Sequence, residues 1–323
     1  MHRYGLAQQS AVVGLCLLAG CLPAQLLAGQ SEIPDSRHYF RRYQATAYIS
    51  FLSVTIFSRS NVGFGYAKAE EEVFPQSRNI SLQFLSGSIP ERAHGLNRFG
   101  LIQENIRERD RNCAEADYFG LITASGEESL SQAKAALEAK SQMTPFVAAQ
   151  AKIDAQTARY SIRHLALSSA YRGANAEQLL GQVHASFDRP EEGQQEHTQS
   201  LNGNAMGTFL YSVREAMLAS ADKLQTRFIY NGKTFQMQVE KREDDKVGQE
   251  LRAAGLVAEA SSATMLTGVI RNEKTNEITN FRLWFDKSSS DLLPLRFEFK
   301  PKSYLRLVFQ AVPETSLAAT ISK

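Results

Sequence analysis

The chain reads as a mainly β protein of the α+β kind, built on a large antiparallel sheet that is curved or barrel-like and carries a central helical insertion. Three observations predict this. Apolar and polar residues alternate in consecutive runs toward the C-terminus, Asn231-Gly232 joins two further alternating runs, and the strongest helix-forming composition is confined to the middle.

Near the N-terminal side, Tyr43, Ala45, Ala47, Ile49 and Phe51 share one parity while Leu52, Val54 and Ile56 share the other. That switch predicts a long strand with a bulge or twist near residues 50–53. Gly63 and Gly65 flank Phe64, where missing side chains permit a bend; no helix signal follows, so a phosphate-cradling loop is not expected there. In the centre, Ser125 and Glu128 form a capping box ahead of a helix over about 126–141. Asn175 stands where it would cap a second helix over 176–187, and Phe209, Val213, Ala216 and Met217 mark one face of a third within 206–220. Between the first two helices, ARYSIRHLALSS alternates as a strand does, and the polar segment 188–204 reads as a mobile loop.

Farther on, the Asn-Gly pair predicts a type I′ hairpin, because both central residues of that turn need positive φ. Its register puts Tyr230 opposite Lys233 and Phe228 opposite Phe235. Strands near 263–272 and 277–285, joined around Lys274-Thr275-Asn276, lead into a meander. Within it Phe281, Leu283 and Phe285, then Leu295, Phe297 and Phe299, then Leu305, Leu307 and Phe309 face the core. Arg282, Trp284, Arg296 and Glu298 alternate with them on the polar side, so residues from about 225 to 312 make one antiparallel sheet. The expected organisation is a signal segment over 1–28 (or 1–20 for a lipoprotein), one β-rich domain over 38–312 with the helical insertion at about 125–222, and a tail over 313–323.

The signal rests on AVVGLCLLAGCL, a run behind Arg3 that is too short to cross a bilayer as a mature helix. Two processing routes fit. Leu18-Ala19-Gly20-Cys21 is similar to a bacterial lipobox with Cys21 as the lipidated residue, and Leu26-Leu27-Ala28 after Pro23 offers an ordinary cleavage site. Either route predicts an exported protein of the periplasm or cell envelope, touching a membrane only through a lipid on Cys21. Cys113 is then left without a partner for an intrachain disulfide. Its neighbours Arg111 and Glu115 leave two readings open, a thiol with a lowered pKa or an unreactive one at the solvent edge.

Charge excludes one large class of partner. The 36 Lys and Arg residues nearly balance 34 Asp and Glu and are scattered, so nucleic acid is not expected. Arg107, Arg109 and Arg111 are the one local basic cluster, and their spacing predicts a solvated strand face with Ile106 pointing inward. No Gly-x-Ser-x-Gly elbow, Walker loop, His-Glu-x-x-His or Cys-x-x-Cys is present, and the histidines His38, His94, His164, His184 and His197 lie too far apart in sequence to read as metal ligands. Neither metal nor cofactor is therefore expected. The stretch with the contents of a binding loop is GSIPERAHGLNRFG (87–100), in which Glu91, Arg92, His94, Asn97 and Arg98 concentrate. Arg92 and Arg98 would hold an anionic headgroup; Glu91, His94 and Glu104 are the candidate acids and bases if the protein is an enzyme.

The pattern FRLWFDKSSSDLLPLRFEFKPKSYLRLVFQ, with a strand ending Leu-Trp-Phe, a polar turn, Pro-Leu-Arg and a further strand, resembles the end of exported bacterial proteins grouped as domain of unknown function 3108. The resemblance covers roughly the last ninety residues. It implies a β-rich envelope protein with no assigned catalytic set. Three functions follow as expectations: a non-catalytic protein binding a lipid or other amphiphile on its curved sheet, an envelope hydrolase acting on a glycan or lipid ester, or a scaffold for other envelope proteins without a small ligand.

Overall fold

Alternation of apolar and polar residues produces strands of up to 20 residues, and polar links fold most of them back on the last. The computed structural model describes residues 35–51, 54–94, 97–109, 112–123, 143–154, 157–168, 176–187, 196–200, 207–230, 232–257, 263–289, 293–302 and 304–313. Pro34–Lys323 is one compact unit. The signal segment with Cys16 and Cys21, and the helix expected at 126–141, lie outside the described residues.

The first half of the chain supplies β1 (Asp35–Phe51), β2 (Val54–Val73), β3 (Ser77–Ser88), β4 (Phe99–Arg109), β5 (Asn112–Thr123), β6 (Met143–Asp154), β7 (Thr157–Ser168) and β8 (Glu196–Ser200). The second supplies β9 (Gly207–Thr208), β10 (Lys223–Tyr230), β11 (Lys233–Glu243), β12 (Ala263–Asn272), β13 (Ile278–Asp286), β14 (Arg296–Lys302) and β15 (Leu305–Ala311). All fifteen join one sheet in the order β8-β7-β6-β5-β4-β3-β2-β1-β15-β14-β13-β12-β11-β10-β9. Every pairing is antiparallel except β9 with β10. The fold is mainly β on one large sheet, as the alternation predicts, and the sheet is not closed. Its two ends approach each other: the Gln199 amide donates to Thr234 Oγ1 at 2.9 Å, and the Tyr160 ring lies where a Cβ on residue 232 would sit, 2.2 Å away. Gly232, at φ +66°, is thus required both by the turn and by the ring above it.

The hairpin register is the predicted one, with Tyr230 opposite Lys233 and Phe228 opposite Phe235, whose rings stack at 5.2 Å between centroids. A double-mutant cycle on Phe228→Ala and Phe235→Ala, read by urea unfolding, should return about 1 kcal/mol of coupling. A value near zero would mean that the register is set by the turn alone.

Among the described residues, three helices complete the fold: α1 (Ala176–Phe187), α2 (Phe209–Leu218) and α3 (Asp245–Ala253). Leu180, Val183 and Phe187 lay α1 on the outer face of the sheet against Phe99, Leu101, Phe119, Leu121 and Phe146. Arg163 closes its C-terminal end by donating to the carbonyls of Ser186 and Phe187, where the helix dipole favours a cation. On the other half of the outer face, α3 covers Trp284, Met265 and Leu295. Asp244 caps that helix through Val247 N at 3.1 Å and accepts from Trp284 Nε1 at 3.0 Å.

The structure departs from the sequence reading at four places. The parity switch near 50–53 is a chain reversal rather than a bulge: β1 ends at Phe51 and β2 starts at Val54, and these two residues pair. The bulges lie beside it, between Ala45 and Ala47 and between Ile49 and Ser50. The middle of the chain is less helical than expected because Ala-rich MTPFVAAQAKID forms β6; small side chains suit a crowded sheet interior, which overrides their helical propensity. Part of the expected mobile loop, Glu196–Ser200, is strand β8. Finally, Glu298 and Trp284, assigned to the polar side, are buried, because α3 and a group of arginines cover that side.

Candidate functional site

The interior is built around α2. One side of this helix meets β2, β3 and β4, and the other, through Ala216 and Met217, meets Phe228, Met237, Leu266 and Leu283 on β10–β13. It therefore fills the concavity between the two halves of the sheet. Its N-cap residue Thr208 makes no side-chain cap of its own, and no acidic residue occupies its first turn. Glu104 supplies what is missing. Its carboxylate accepts from the Thr208 hydroxyl, from Leu210 N at 2.9 Å and from Tyr211 N at 2.9 Å, satisfying N–H groups that a helix leaves unpaired at its start. Glu104 is 0% exposed, and burial outweighs these donors to push its carboxyl up to about 7.

One turn on, the Tyr211 hydroxyl donates to Glu108 at 2.6 Å, and Glu108 also accepts from Arg78 Nε at 2.7 Å. Arg214 donates to Glu71 and, at 2.9 Å, to Glu215. Arg78 lies 3.8 Å from both Glu71 and Glu215. Burial raises the Glu215 carboxyl, against the pull of Arg214. Four carboxylates and two guanidiniums thus tie α2 to the inner wall, each within reach of a partner. Beside them the aromatic group Tyr43, Phe84, Phe297 and Phe309 packs ring to ring, with Phe297 and Phe309 stacked at 4.6 Å. Side chains of the chain itself occupy this interior.

The loop singled out by sequence lies at one end of the sheet. Ile89 N donates to Val62 O at 2.7 Å, and Arg92 N and Ala93 N both reach Ile89 O, which folds 89–93 into a single turn. Glu91, Arg92 and His94 are exposed, while Asn97 and Arg98 are half-buried. Arg98 Nη1 donates to Asn97 O at 3.1 Å, and Arg59 meets His94 Nε2 at 3.0 Å. Glu104 is five residues down β4 from Phe99, about 16 Å along the strand, and faces the interior. The loop brings His94 to Arg59 and does not bring Glu91 or His94 to Glu104.

Cys113 is half-buried, its side chain packed against the interior cluster, and burial beside Glu108 and Glu104 pushes its thiol up to about 12. That shift runs opposite to a lowered pKa and leaves the unreactive reading, with the thiol partly packed inward. Arg107 and Arg109 are exposed and Ile106 is buried, as their spacing predicts; residue 111 lies outside the described residues. His164 is exposed, and it is its neighbour Arg163 that is buried. An open groove of about 610 Å³ crosses the outer face, lined by His38, Glu70, Asn79, Asp117 and Lys152 among others. Its charges are partly paired within it, His38 with Glu70 at 3.2 Å and Lys68 with Glu70 at 2.8 Å, and the hydrogen bond from Lys68 holds the Glu70 carboxyl below its usual value.

Sequence reasoning missed one surface. Residues 54–61 of β2 pair with β1 but have no partner on β3, whose ladder starts at Gly63, so this end of the β1–β2 hairpin forms an arm with one free edge about 26 Å long, backed on its β1 side by β15 through Ile49 and by Ser50 N donating to Tyr304 O at 2.9 Å. Asn61, at φ +57°, lies within the bulge of residues 60–62 that sets the bend where β2 parts from β3. Ile49 and Phe57 lie opposite each other on the face of β1 that carries Tyr43 and Ala45; Ile56 is the extra residue of the bulge beside them. Ile56 is 66% exposed, Phe57 46%, and Tyr304, beside the arm in the β14–β15 turn, 55%. Six of the nine large apolar residues exposed among the described residues, these four with Ile122 and Ile278, belong to strand ends or turns at this one end of the sheet. The signal was present in the apolar residues at both parities of FLSVTIF, which suit a hairpin with no wet face.

No protein-family model matches the chain, and no curated protein matches it in sequence. A solved structure titled as a beta-barrel-like protein of domain of unknown function DUF1849 from Brucella abortus aligns with 87% of this chain and 96% of its own, at 10% identity and a TM-score of 0.43.

Proposed function

We propose that this is a non-catalytic, exported protein of the bacterial cell envelope that engages an apolar or amphiphilic partner at the rim of its curved sheet. The observation that carries the reading is the arm at the end of the β1–β2 hairpin, where Ile49, Ile56 and Phe57 are exposed together beside Tyr304. Scattered apolar residues on a surface need no explanation; a contiguous group beside a free strand edge marks a contact site. Support for locating the contact at the rim comes from the interior, where α2 and stacked aromatic rings take up the space an enclosed ligand would need. The N-terminal run and the resemblance of the last ninety residues support export. A hydrolase draws no support from the geometry, since its candidate acids and bases do not converge.

The single tryptophan, Trp284, is buried, so a Phe57→Trp variant carries one exposed reporter. Titrating it with a zwitterionic lysophospholipid below its micelle concentration should shift the added emission to the blue, saturably, and Ile56→Ser in the same background should weaken the binding about tenfold. An emission that never moves would count against the reading.

A further inference from the structure

Resting on that reading, we infer that the partner is the surface of an anionic lipid bilayer, into which the β1–β2 arm dips without crossing it. Three features converge on this. The first is the apolar character of the arm: Ile49, Ile56 and Phe57 are exposed there beside Tyr304, and the acyl boundary of a bilayer takes up such a group at the end of a sheet.

The second is charge. The end of the sheet that carries the arm also carries the β3–β4 loop and the β14–β15 turn. Over residues 46–61, 88–98 and 299–306 the chain has six basic residues, Arg59, Arg92, Arg98, Lys300, Lys302 and Arg306, against the single acid Glu91; the β10–β11 and β12–β13 turns at the same end add Lys233, Lys274, Glu273 and Glu277, so a basic excess remains on a chain that is only +2 overall. Arg306 lies over the Tyr48 ring at 4.4 Å, with Glu298 at 3.4 Å, so its long stem is held beside the base of the arm. Basic side chains behind an apolar tip match the layering of acyl chains beneath anionic headgroups.

The third feature limits the depth. Residues 54–61 of β2 have no β3 partner, and their free backbone edge needs water or headgroups as hydrogen-bond partners, because an unpaired strand edge is not tolerated in hydrocarbon. Ser58, Ser60 and Asn61 lie toward the base of this stretch, where the headgroups would be. The contact requires no lipid on Cys21.

Flotation with vesicles tests the inference. The full protein should float with vesicles of phosphatidylcholine mixed with phosphatidylglycerol and stay behind with phosphatidylcholine alone, and added salt should release it. Lys300→Gln and Arg92→Gln, both at exposed positions, should each lower the partition about fivefold, and Ile56→Ser about tenfold. Wild type and variants share the same N-terminus, so the differences read the arm and its rim alone. In Phe57→Trp, brominated lipid should quench the added emission. Equal binding to both vesicle types would overturn the anionic surface as partner. Lysophospholipid binding without vesicle binding would overturn the bilayer and leave the amphiphile reading standing. A dimer in sedimentation, with the added emission of the Phe57→Trp variant already blue before lipid is present, would assign the arm to a second copy. Loss of both lysophospholipid and vesicle binding would remove both proposals.

Discussion

Arg214→Met should cost about 3–5 kcal/mol of folding stability, the largest effect expected of any substitution on α2. Arg214 is buried and donates to Glu71, which is buried as well, and to Glu215. Without the guanidinium, the nearest cation left to Glu71 among the described residues is Arg78, at 3.8 Å. An ionised carboxylate left in an apolar interior carries its full desolvation penalty, and the volume restored by Met does nothing for it. The physical content of the prediction is that the loss comes from the abandoned charge. Adding Glu71→Gln to Arg214→Met should therefore recover a large part of the stability, since the remaining amide is neutral. Urea unfolding of wild type, both single variants and the double variant reads the coupling directly. If the double variant falls as far as the two single losses combined, the pair is not acting as a pair, and α2 is held by its apolar contacts with Phe228 and Met237 instead.

That helix also shows which parts of the molecule were legible in the sequence. Strands announce themselves through nearest-neighbour alternation, so β10, β11 and the C-terminal meander, down to Phe228 facing Phe235, follow from the chain alone. Phe209, Val213, Ala216 and Met217 likewise announce the helix and one face of it. What they cannot announce is that the opposite face is buried too. Arg214 and Tyr211 look like solvent-facing residues until β2, β3 and β4, contributed by residues more than a hundred positions away, present Glu71, Glu104 and Glu108 to them. The arm escaped notice for a different reason. Apolar residues at both parities fit either a bulge inside a buried strand or a hairpin without a wet side, and only the absence of a β3 partner beyond Gly63 separates the two. The loop at 87–100 was recognisable as a loop from its Gly and Pro content, but which groups it meets depends on Arg59, fixed by the bend at Asn61.

Glu104 makes the second strong prediction, and its sign is set by the direction of its shift. In the unfolded chain its carboxyl has the ordinary value of 4.5; in the folded chain burial raises it to about 7. Between those values the folded protein holds a proton that the unfolded chain has released. Stability from this group is therefore full below about 4.5, declines as pH rises through the window, and is lost above about 7, a change on the order of 3 kcal/mol. Glu104→Gln removes the titration while keeping one carbonyl acceptor at the start of α2. Its amide nitrogen cannot accept from Tyr211 N, so the variant should carry a fixed cost of about 1–3 kcal/mol at every pH. A fixed cost displaces the stability curve without tilting it. Subtracting the variant's unfolding free energy from that of wild type also removes the titrations the two share, including Glu215, whose carboxyl is raised, and Glu70, whose carboxyl is lowered and which loses stability toward acid. The difference should favour wild type by about 3 kcal/mol more at the acid end of the window than at the alkaline end. A difference that stays flat across the window would mean that the Thr208 hydroxyl and the amides of α2 hold the carboxylate ionised despite its burial. Glu104 would then be a permanent anion at the helix N-terminus rather than a proton-linked clasp between α2 and β4.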